Sequence, residues 1–543
     1  MSDSTPQEHP TALPPITTAS YPFDKANADI IIRTSDHVDF HVYSQILIAA
    51  SPFFEGMFDV PQPPLDQQQL KYGRPIIDVS ETSKALDPLL RICYPINKPK
   101  GRSLEEIELA LAAAMKFEME LPTTVLTEEL YTLSKYGHPL EVWGIACRLR
   151  LESVARAAGQ ALLVSPLDFT VLKGMEGITA ADYFRLREYV RLLGNVPLAF
   201  KFLSPGTLPK LCRSLSSTIT SHCLVDAPPP DILCRSADGV EFRAHKTVLS
   251  VVSAALREKV SSASSAPPDK DTSGEFISTL PVVHFEEEGA VLHAMLQLSY
   301  RCPTNVPLPS DLAVLTAVLG TIEKYGLYSA QPVVWSFWQA IAFANPLRAY
   351  CSAIRAGHTL GAKEAARCVL NHVIDGVYVE ELEGTPALAY HRLLNYYEKC
   401  RRVARQELTK ITNSVNVPPR PADDSLPAPD PSSSLEGGLI KKKKGAKRRT
   451  VEPPIWAASP TPNLPWLLRY LRDLSSRVQS RPGSVTPGLS DLLNEATKAG
   501  SEDSDKGPGV WCEECQIVAE EILKASKALQ QLPGDLSKVE LEI

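Results

Sequence analysis

The stretch that decides the fold is Asp231–Ser253, with the sequence DILCRSADGVEFRAHKTVLSVVS. Ile232–Arg235 is a short run of residues that favour strands, and Asp238-Gly239 supplies the positive φ that a tight hairpin turn needs. Val240–Ala244 can then return antiparallel to the first strand. From His245 onward the apolar residues recur with a helical period. The stretch therefore predicts a β-hairpin that leads directly into a helix.

The same pattern occurs earlier in the chain, at Asp29–Ser51, with the sequence DIIIRTSDHVDFHVYSQILIAAS. The two stretches align without a gap, and the matching positions of the earlier one are Asp29, Ile30, Arg33, Asp36, Val38, Phe40, Leu47 and Ser51. A third strand is predicted in both copies, at Pro75–Val79 and at Pro281–Phe285, and the correspondence continues into helices at a nearly constant offset. Chance would not maintain this correspondence, so the sequence predicts an internal duplication.

These patterns predict a helix-rich α+β protein with two similar modules, each followed by a helical extension. The predicted boundaries are 1–20 for a disordered lead, 21–135 for the first module, 136–200 for its extension, 201–227 for a connector, 228–335 for the second module, 336–410 for its extension, 411–462 for a disordered linker with a basic tract, and 463–543 for a small helical C-terminal segment. In that last segment a helix is predicted over Trp511–Leu529, and the alternation of Val539, Leu541 and Ile543 predicts an edge strand.

The composition limits where the protein can act. No apolar run approaches the length of a membrane span, and the first residues lack the layout of a signal peptide. The 11 cysteines are scattered and no Asn-X-Ser/Thr acceptor occurs, which favours a reducing compartment, the cytoplasm or the nucleus. The net charge of -7 argues against a surface that binds nucleic acid over the whole protein.

No sequence pattern indicates catalysis. A lone histidine that opens a helix, as His245 does, is more often a hydrogen-bonded structural residue than an acid or base. The HExxH, GxSxG and GxxxxGK[ST] motifs are absent from the sequence. Cys512 and Cys515 form a C-x-x-C pair that supplies half of a tetrahedral zinc site, although two small apolar side chains on one helical face explain the pair as well. We expect no catalytic residue, no cofactor, no metal and no small-molecule substrate. We predict that Cys512 and Cys515 are packing residues, and keep zinc ligation by this pair as the alternative.

A basic tract lies within the predicted linker. Its cations are Lys441, Lys442, Lys443, Lys444, Lys447, Arg448 and Arg449. These charges repel one another, so the tract should stay extended and accessible to an acidic groove, a phosphate or an importin. A merely solubilising linker is the alternative. We predict nuclear import; an unchanged distribution of a fluorescent fusion after replacement of 441–444 by alanine would contradict this.

The second copy carries the motif Phe242-Arg-Ala-His245-Lys246-Thr-Val-Leu249, which resembles the signature of the BTB (POZ) domain. The first copy has Tyr43-Ser44 where the family has His-Lys. Its segments SPFFEGMFDVPQP, from Ser51, and LLRICYP, from Leu89, look like those of BTB proteins from mushroom-forming (basidiomycete) fungi. The chain as a whole resembles a tandem BTB protein of that group.

The resemblance implies that the two modules are BTB/POZ-like units for protein-protein contacts, without catalytic machinery. The signature residues that it assigns are Asp29, Phe40, Asp231, Phe242, His245 and Lys246. The charged pocket of the family would use Asp231 and Lys246. In the first copy Ser44 replaces the base, so we expect Asp29 to lie in water or to accept backbone N–H groups.

Three functions fit these observations. The first is a non-enzymatic scaffold whose two BTB units are paired within one chain and bind protein partners. The second is a substrate adaptor of a cullin-type ubiquitin ligase, although Val60–Pro64 lacks the hydrophobic-X-Glu signature of that class. The third is a nuclear regulator that uses the basic tract, where an isolated cluster provides only salt-sensitive, non-specific affinity for nucleic acid.

Overall fold

The computed structural model describes residues 15–60, 69–96, 101–164, 174–203, 229–262, 280–300, 309–415, 465–483 and 513–542. The chain divides into two compact units. The first unit contains Met1–Ser214 and Tyr378–His391, and the second contains Leu215–Val377 and Arg392–Ile543. None of the helices in the described ranges is both long enough and apolar enough to cross a membrane.

The first unit is built on a small sheet. Its strands are β1 (Thr17–Thr18), β2 (Ile30–Arg33), β3 (Val38–Val42), β4 (Leu70–Lys71) and β5 (Arg74–Asp78), in the order β1-β3-β2-β5-β4. β2 and β3 form the predicted antiparallel hairpin, with Ile32 opposite Phe40. At its turn, His37 adopts the left-handed conformation with φ 61°. β5 then joins β2 in parallel, because helices connect the two strands.

Helices cover this sheet and continue beyond it. They are α1 (Ser44–Ala50), α2 (Pro52–Asp59), α3 (Ser83–Cys93), α4 (Leu104–Lys116), α5 (Glu120–Lys135), α6 (Pro139–Arg148), α7 (Glu152–Leu162) and α8 (Ala180–Arg191). The amphipathic helix α3 shows why they pack: Leu86, Leu89 and Leu90 lie on one face and are at most 1% exposed. At the start of α4, Ser103 and Glu106 form a capping box that satisfies the first free amides.

The second unit contains a three-stranded sheet made by β6 (Ile232–Arg235), β7 (Glu241–Ala244) and β8 (Val282–His284), in the order β7-β6-β8. β6 pairs antiparallel with β7, and Cys234 lies opposite Phe242. β8 pairs in parallel with β6. Gly239 adopts φ +82° at the turn of this hairpin, as the Asp-Gly pair predicts. The pairing therefore repeats the directions and the register of β3, β2 and β5.

The helices that follow repeat the earlier order. They are α9 (Lys246–Val252), α10 (Ala254–Ser261), α11 (Gly289–Ser299), α12 (Leu312–Tyr325), α13 (Gln331–Ala344), α14 (Pro346–Arg355), α15 (Thr359–Val369), a 3-10 helix (Glu380–Gly384), α16 (Ala387–Val415), α17 (Pro465–Ser480) and α18 (Glu513–Ser537). The 3-10 helix and the first residues of α16 belong to the first unit.

Several boundaries differ from those that the sequence predicts. Thr17–Thr18 lies in the predicted lead but pairs with β3. A strand of two residues is too short to show a periodic pattern, so the sequence does not predict it. The final helix runs to Ser537 instead of Leu529, so the predicted strand at Val539 is wrong within residues 538–542. The contacts also place Tyr378–His391 in the first unit, whereas the sequence assigned it to the extension of the second module.

Candidate protein interaction sites

The signature residues of the first copy divide between the core and the surface. Phe40 is 1% exposed and belongs to the core under the hairpin. Asp29 is exposed, and its Oδ1 accepts the backbone N–H of Ser44 at 2.8 Å. Asp29 therefore lies in water and accepts a backbone N–H. Asp231 makes the same contact although the second copy retains the base Lys246, so this hydrogen bond is not specific to the loss of the base. No buried charge is left without a partner at this position.

In the second copy, Phe242 is fully buried and Asp231 is exposed. Asp231 Oδ1 accepts the backbone N–H of Lys246 at 2.7 Å, and no ion pair between the two side chains occurs among the described contacts. The expected charged pocket is therefore replaced by a helix-capping contact. His245 Nδ1 lies 2.9 Å from the hydroxyl of Tyr300, and the His245 N–H donates to the same oxygen at 2.8 Å. This geometry fixes the start of α9.

A buried serine performs the same two tasks in both units. Ser51 caps α2 by accepting the Phe54 N–H at 3.1 Å, and its hydroxyl donates to the Phe117 carbonyl at 2.5 Å. Ser253 caps α10 by accepting the Leu256 N–H at 3.1 Å and donates to the carbonyl at the end of α12. Each serine thus joins the start of one helix to the end of another.

Further contacts recur at corresponding positions of the two units. An aspartate at each hairpin turn accepts the N–H of the first residue of a helix at 2.8 Å: Asp36 accepts from Ser83, and Asp238 accepts from Gly289. A tyrosine hydroxyl accepts the backbone N–H just before the first helix of each unit: Tyr94 accepts from Tyr43, and Tyr300 accepts from His245. A lysine at the end of the fourth helix of each unit forms an ion pair with a glutamate: Lys116 with Glu81, and Lys324 with Glu287.

One ion pair differs sharply between the units. Asp39 is fully buried; Arg33 Nε donates to its Oδ1 at 2.7 Å and Lys71 Nζ lies 2.6 Å from its Oδ2. Burial alone would raise the pKa of the Asp39 carboxyl, but the hydrogen bonds and charges of the two cations outweigh it and lower the pKa. In the corresponding ion pair of the second unit, Arg235 Nη2 lies 2.5 Å from Glu241 Oε1, and both side chains are about 40% exposed.

The first unit also contains a contact with local two-fold symmetry. Thr179 and Pro386 face each other in an isolated antiparallel bridge. The Ala180 N–H donates to the carbonyl before Pro386 at 2.7 Å, and the Ala387 N–H donates to the carbonyl before Thr179 at 2.9 Å. Ala180 and Ala387 stand at corresponding positions of the two stretches that the sequence alignment pairs. Each of these segments therefore donates one backbone hydrogen bond to the other and accepts one from it. This is the arrangement of an isologous contact.

Aromatic side chains fill the same region. We call residues 178–183 and 385–391 the two-fold contact. The rings of Tyr183 and Tyr390 meet edge to face with centroids 6.2 Å apart, and both side chains are at most 2% exposed. Burial raises the pKa of Tyr183 to about 12, while burial and a nearby arginine lower the pKa of His391. We therefore assign the 3.0 Å contact as the Tyr183 hydroxyl donating to a neutral His391 Nδ1.

A groove of about 870 Å³ lies between the helices α1 and α2 and the start of α5. Its apolar lining includes Ile46 and Leu121, and Leu121 is 58% exposed. The carboxylates of Glu55, Glu118 and Glu120 also line it, with no lysine or arginine among the described lining residues. This surface suits a partner segment with apolar and basic side chains.

Two predicted features fall outside this geometry. The basic tract at 441–449 and Cys512 lie outside the described residues, and the structure does not describe the Cys515 side chain. Within the ranges that are described, no three or more histidine, cysteine, aspartate or glutamate side chains form a cluster able to hold a metal ion.

Comparison with known proteins finds one family match, and it covers the sheet of the first unit and the helices around it. No curated protein matches the chain at a significant level. The BTB/POZ domain family matches residues 22–134, which contain the hairpin of β2 and β3, Asp29, Ser51 and the groove. BTB domains mediate protein-protein contacts and dimerisation and are typically non-enzymatic. The first unit therefore contains a BTB/POZ domain at residues 22–134.

Proposed function

We propose that the protein is a non-enzymatic interaction scaffold with a second BTB-like domain at residues 228–335. The observation that supports it is the repetition, in β6–β8 and α9–α12, of the sheet register and of the contacts that hold the first domain together. Ser253 is the clearest case, because it reproduces both hydrogen bonds of Ser51. Buried polar contacts of this kind constrain how the surrounding elements pack.

We also infer that the two helical extensions associate within one chain. The two-fold contact supports this, because its paired elements come from corresponding positions of the two extensions. In such a bridge the two Cα atoms lie about 4.5 Å apart, which is within the range of a disulfide. Oxidation of a Thr179→Cys, Pro386→Cys double variant is therefore expected to form an intrachain disulfide that peptide mass spectrometry detects.

The single variants serve as controls for this experiment, since the chain has native thiols such as Cys147 and Cys400. Mixing isotopically labelled and unlabelled chains distinguishes intrachain from interchain bonds. Disulfide peptides that combine labelled and unlabelled halves in the statistical proportion expected for interchain bonds, or the absence of any such disulfide, would count against the intrachain association.

A substrate adaptor for a cullin-type ubiquitin ligase is the second candidate function. The groove favours it, because an apolar and acidic surface at the start of α2 offers a docking place for another protein. Affinity purification of the full chain from its native cells, followed by mass spectrometry, separates the two. The scaffold predicts reproducible protein partners without cullin peptides. Cullin peptides would support the adaptor, and a preparation without any partner would contradict both.

A further inference from the structure

The helix α13 has an unusual composition for a surface helix. Its 14 residues, QPVVWSFWQAIAFA, include no charged side chain. One face packs into the second unit through Val334, Trp338 and Ala342, which are at most 1% exposed. The Trp338 Nε1 donates to the Thr316 hydroxyl at 2.8 Å and fixes the rotation of the helix.

The opposite face is exposed and uncharged, and all of its members except Ser336 are apolar. Val333 and Phe343 are each 61% exposed, Phe337 is 38% exposed, and Ala340 lies exposed between the two phenylalanines. The ring of Phe343 contacts His372 at a centroid distance of 6.4 Å, so the patch extends onto the segment after α15. Exposed aromatic clusters without charge are typical of interaction surfaces.

The fold does not require an apolar surface at this position. The corresponding helix of the first unit, α5, buries Leu130 where α13 buries Trp338, and both are fully inaccessible. Yet the exposed residues of α5 include Glu128, Thr132 and Lys135. The apolar outer face is therefore a property of the second unit alone.

The outer face is nearly symmetric along its own sequence. Phe337 and Phe343 stand three residues before and after Ala340, at the same angle on either side of it around an ideal helix. The row Phe337-Ala340-Phe343 runs at about 45° to the helix axis. When two such helices cross at nearly a right angle at Ala340, the two rows can align so that Phe337 of each copy meets Phe343 of the other, and the small alanine allows a close approach of the axes. We propose that this face of α13 is a docking surface for a second copy of this chain.

The absence of charge favours a second copy as the partner. Association of the face with itself desolvates no charged group, whereas a partner with charged residues would find nothing on this face to pair with them. The two phenylalanines together expose on the order of 200 Å², since a fully buried aromatic side chain covers about 150–250 Å². With Val333, Ala340 and the adjoining residues the area stays below the roughly 800 Å² per partner of a stable complex, so the dimer should be weak and reversible.

Sedimentation of the full chain over a micromolar to submillimolar concentration series provides the test. We expect a concentration-dependent dimer. Ala340→Glu should raise its dissociation constant by at least about 100-fold, because two carboxylates would face each other at the centre of the contact. The matched control is Thr132→Glu, which places the same charge at the corresponding exposed position of α5 and should leave the dissociation constant unchanged.

A charge exchange makes the test specific for the two-fold pairing at Ala340. Ala340→Lys alone should also weaken the dimer, and a mixture of the Ala340→Glu and Ala340→Lys chains should restore it, because the two residues then face each other with opposite charge. Circular dichroism confirms the fold of each variant, and Phe343→Ser offers a second, uncharged disruption. A chain that stays monomeric, a dimer insensitive to Ala340→Glu, or a mixture without recovery would each overturn the proposal.

Discussion

Replacement of Asp39 by alanine is expected to lower the free energy of unfolding of the first unit by about 3 kcal/mol. Asp39 is fully buried, and the substitution leaves Arg33 and Lys71 without their common carboxylate. Arg33 is only 14% exposed and Lys71 27%, so water can solvate neither cation completely. The loss should therefore exceed that of an ordinary surface pair.

The matched control is Glu241→Ala in the second unit. Its partner is Arg235, and the two side chains are 40% and 42% exposed, so the loss should be at most about 1 kcal/mol. Hydrogen exchange at the amides of β2–β3 and β6–β7 measures each hairpin separately, which matters because a chain with two units need not unfold in one step. Equal losses of stability in the two hairpins would contradict the prediction that the ion pairs of Asp39 stabilise their hairpin more than the Arg235–Glu241 pair stabilises its own.

The same pair predicts a pH dependence. The pKa of Asp39 is lowered in the folded state, so the proton binds the unfolded chain more tightly. The stabilisation is fully present above the ordinary carboxyl pKa of about 3.9 and is lost as the pH falls through the folded value. In the Asp39→Ala variant this contribution to the pH dependence of the unfolding free energy should disappear.

Tyr183→Ala is expected to destabilise the first unit by about 3–5 kcal/mol. The side chain is fully buried against Tyr390 and His391, so alanine leaves a cavity and removes the hydrogen bond to the imidazole. Tyr183→Phe keeps the packing and should cost about 1 kcal/mol, the usual contribution of one hydrogen bond. Chemical denaturation with hydrogen exchange of α8 measures both.

The control for this series is Tyr136→Ala, because Tyr136 belongs to the same unit and is 80% exposed. We expect a change within about 0.5 kcal/mol for it. A loss for Tyr183→Ala as small as that of Tyr136→Ala would show that the two-fold contact does not form in solution.

Much of the sheet could be predicted because its signals are local. Asp238-Gly239 determines one turn, and the alternation of apolar residues determines which positions of the strands face the core, so the register of β6 and β7 follows. In the first copy the turn residue at positive φ is His37 instead of glycine, and the alignment with the second copy identifies it as a turn. The helices likewise follow from their apolar spacing.

The remaining features depend on contacts between distant residues. Asp39 looks like a solvent-facing strand residue, and its burial depends on Lys71, which comes from a two-residue strand without any pattern of its own. The two-fold contact depends on Pro386, which no periodicity marks as a pairing residue. For α13, an uncharged helix predicts burial on all sides, whereas the structure leaves one face exposed.

The inclusion of Tyr378–His391 in the first unit determines the order in which the protein can mature on the ribosome. After Ser214 has emerged, Tyr183 still lacks Tyr390 and His391 as neighbours, and at roughly 5–20 residues per second their synthesis takes on the order of 10–40 s. During that delay an incompletely covered aromatic surface is available to chaperones or to aggregation. A message truncated before codon 378 would make this exposure permanent, so shortened products should be cleared rapidly by proteolysis.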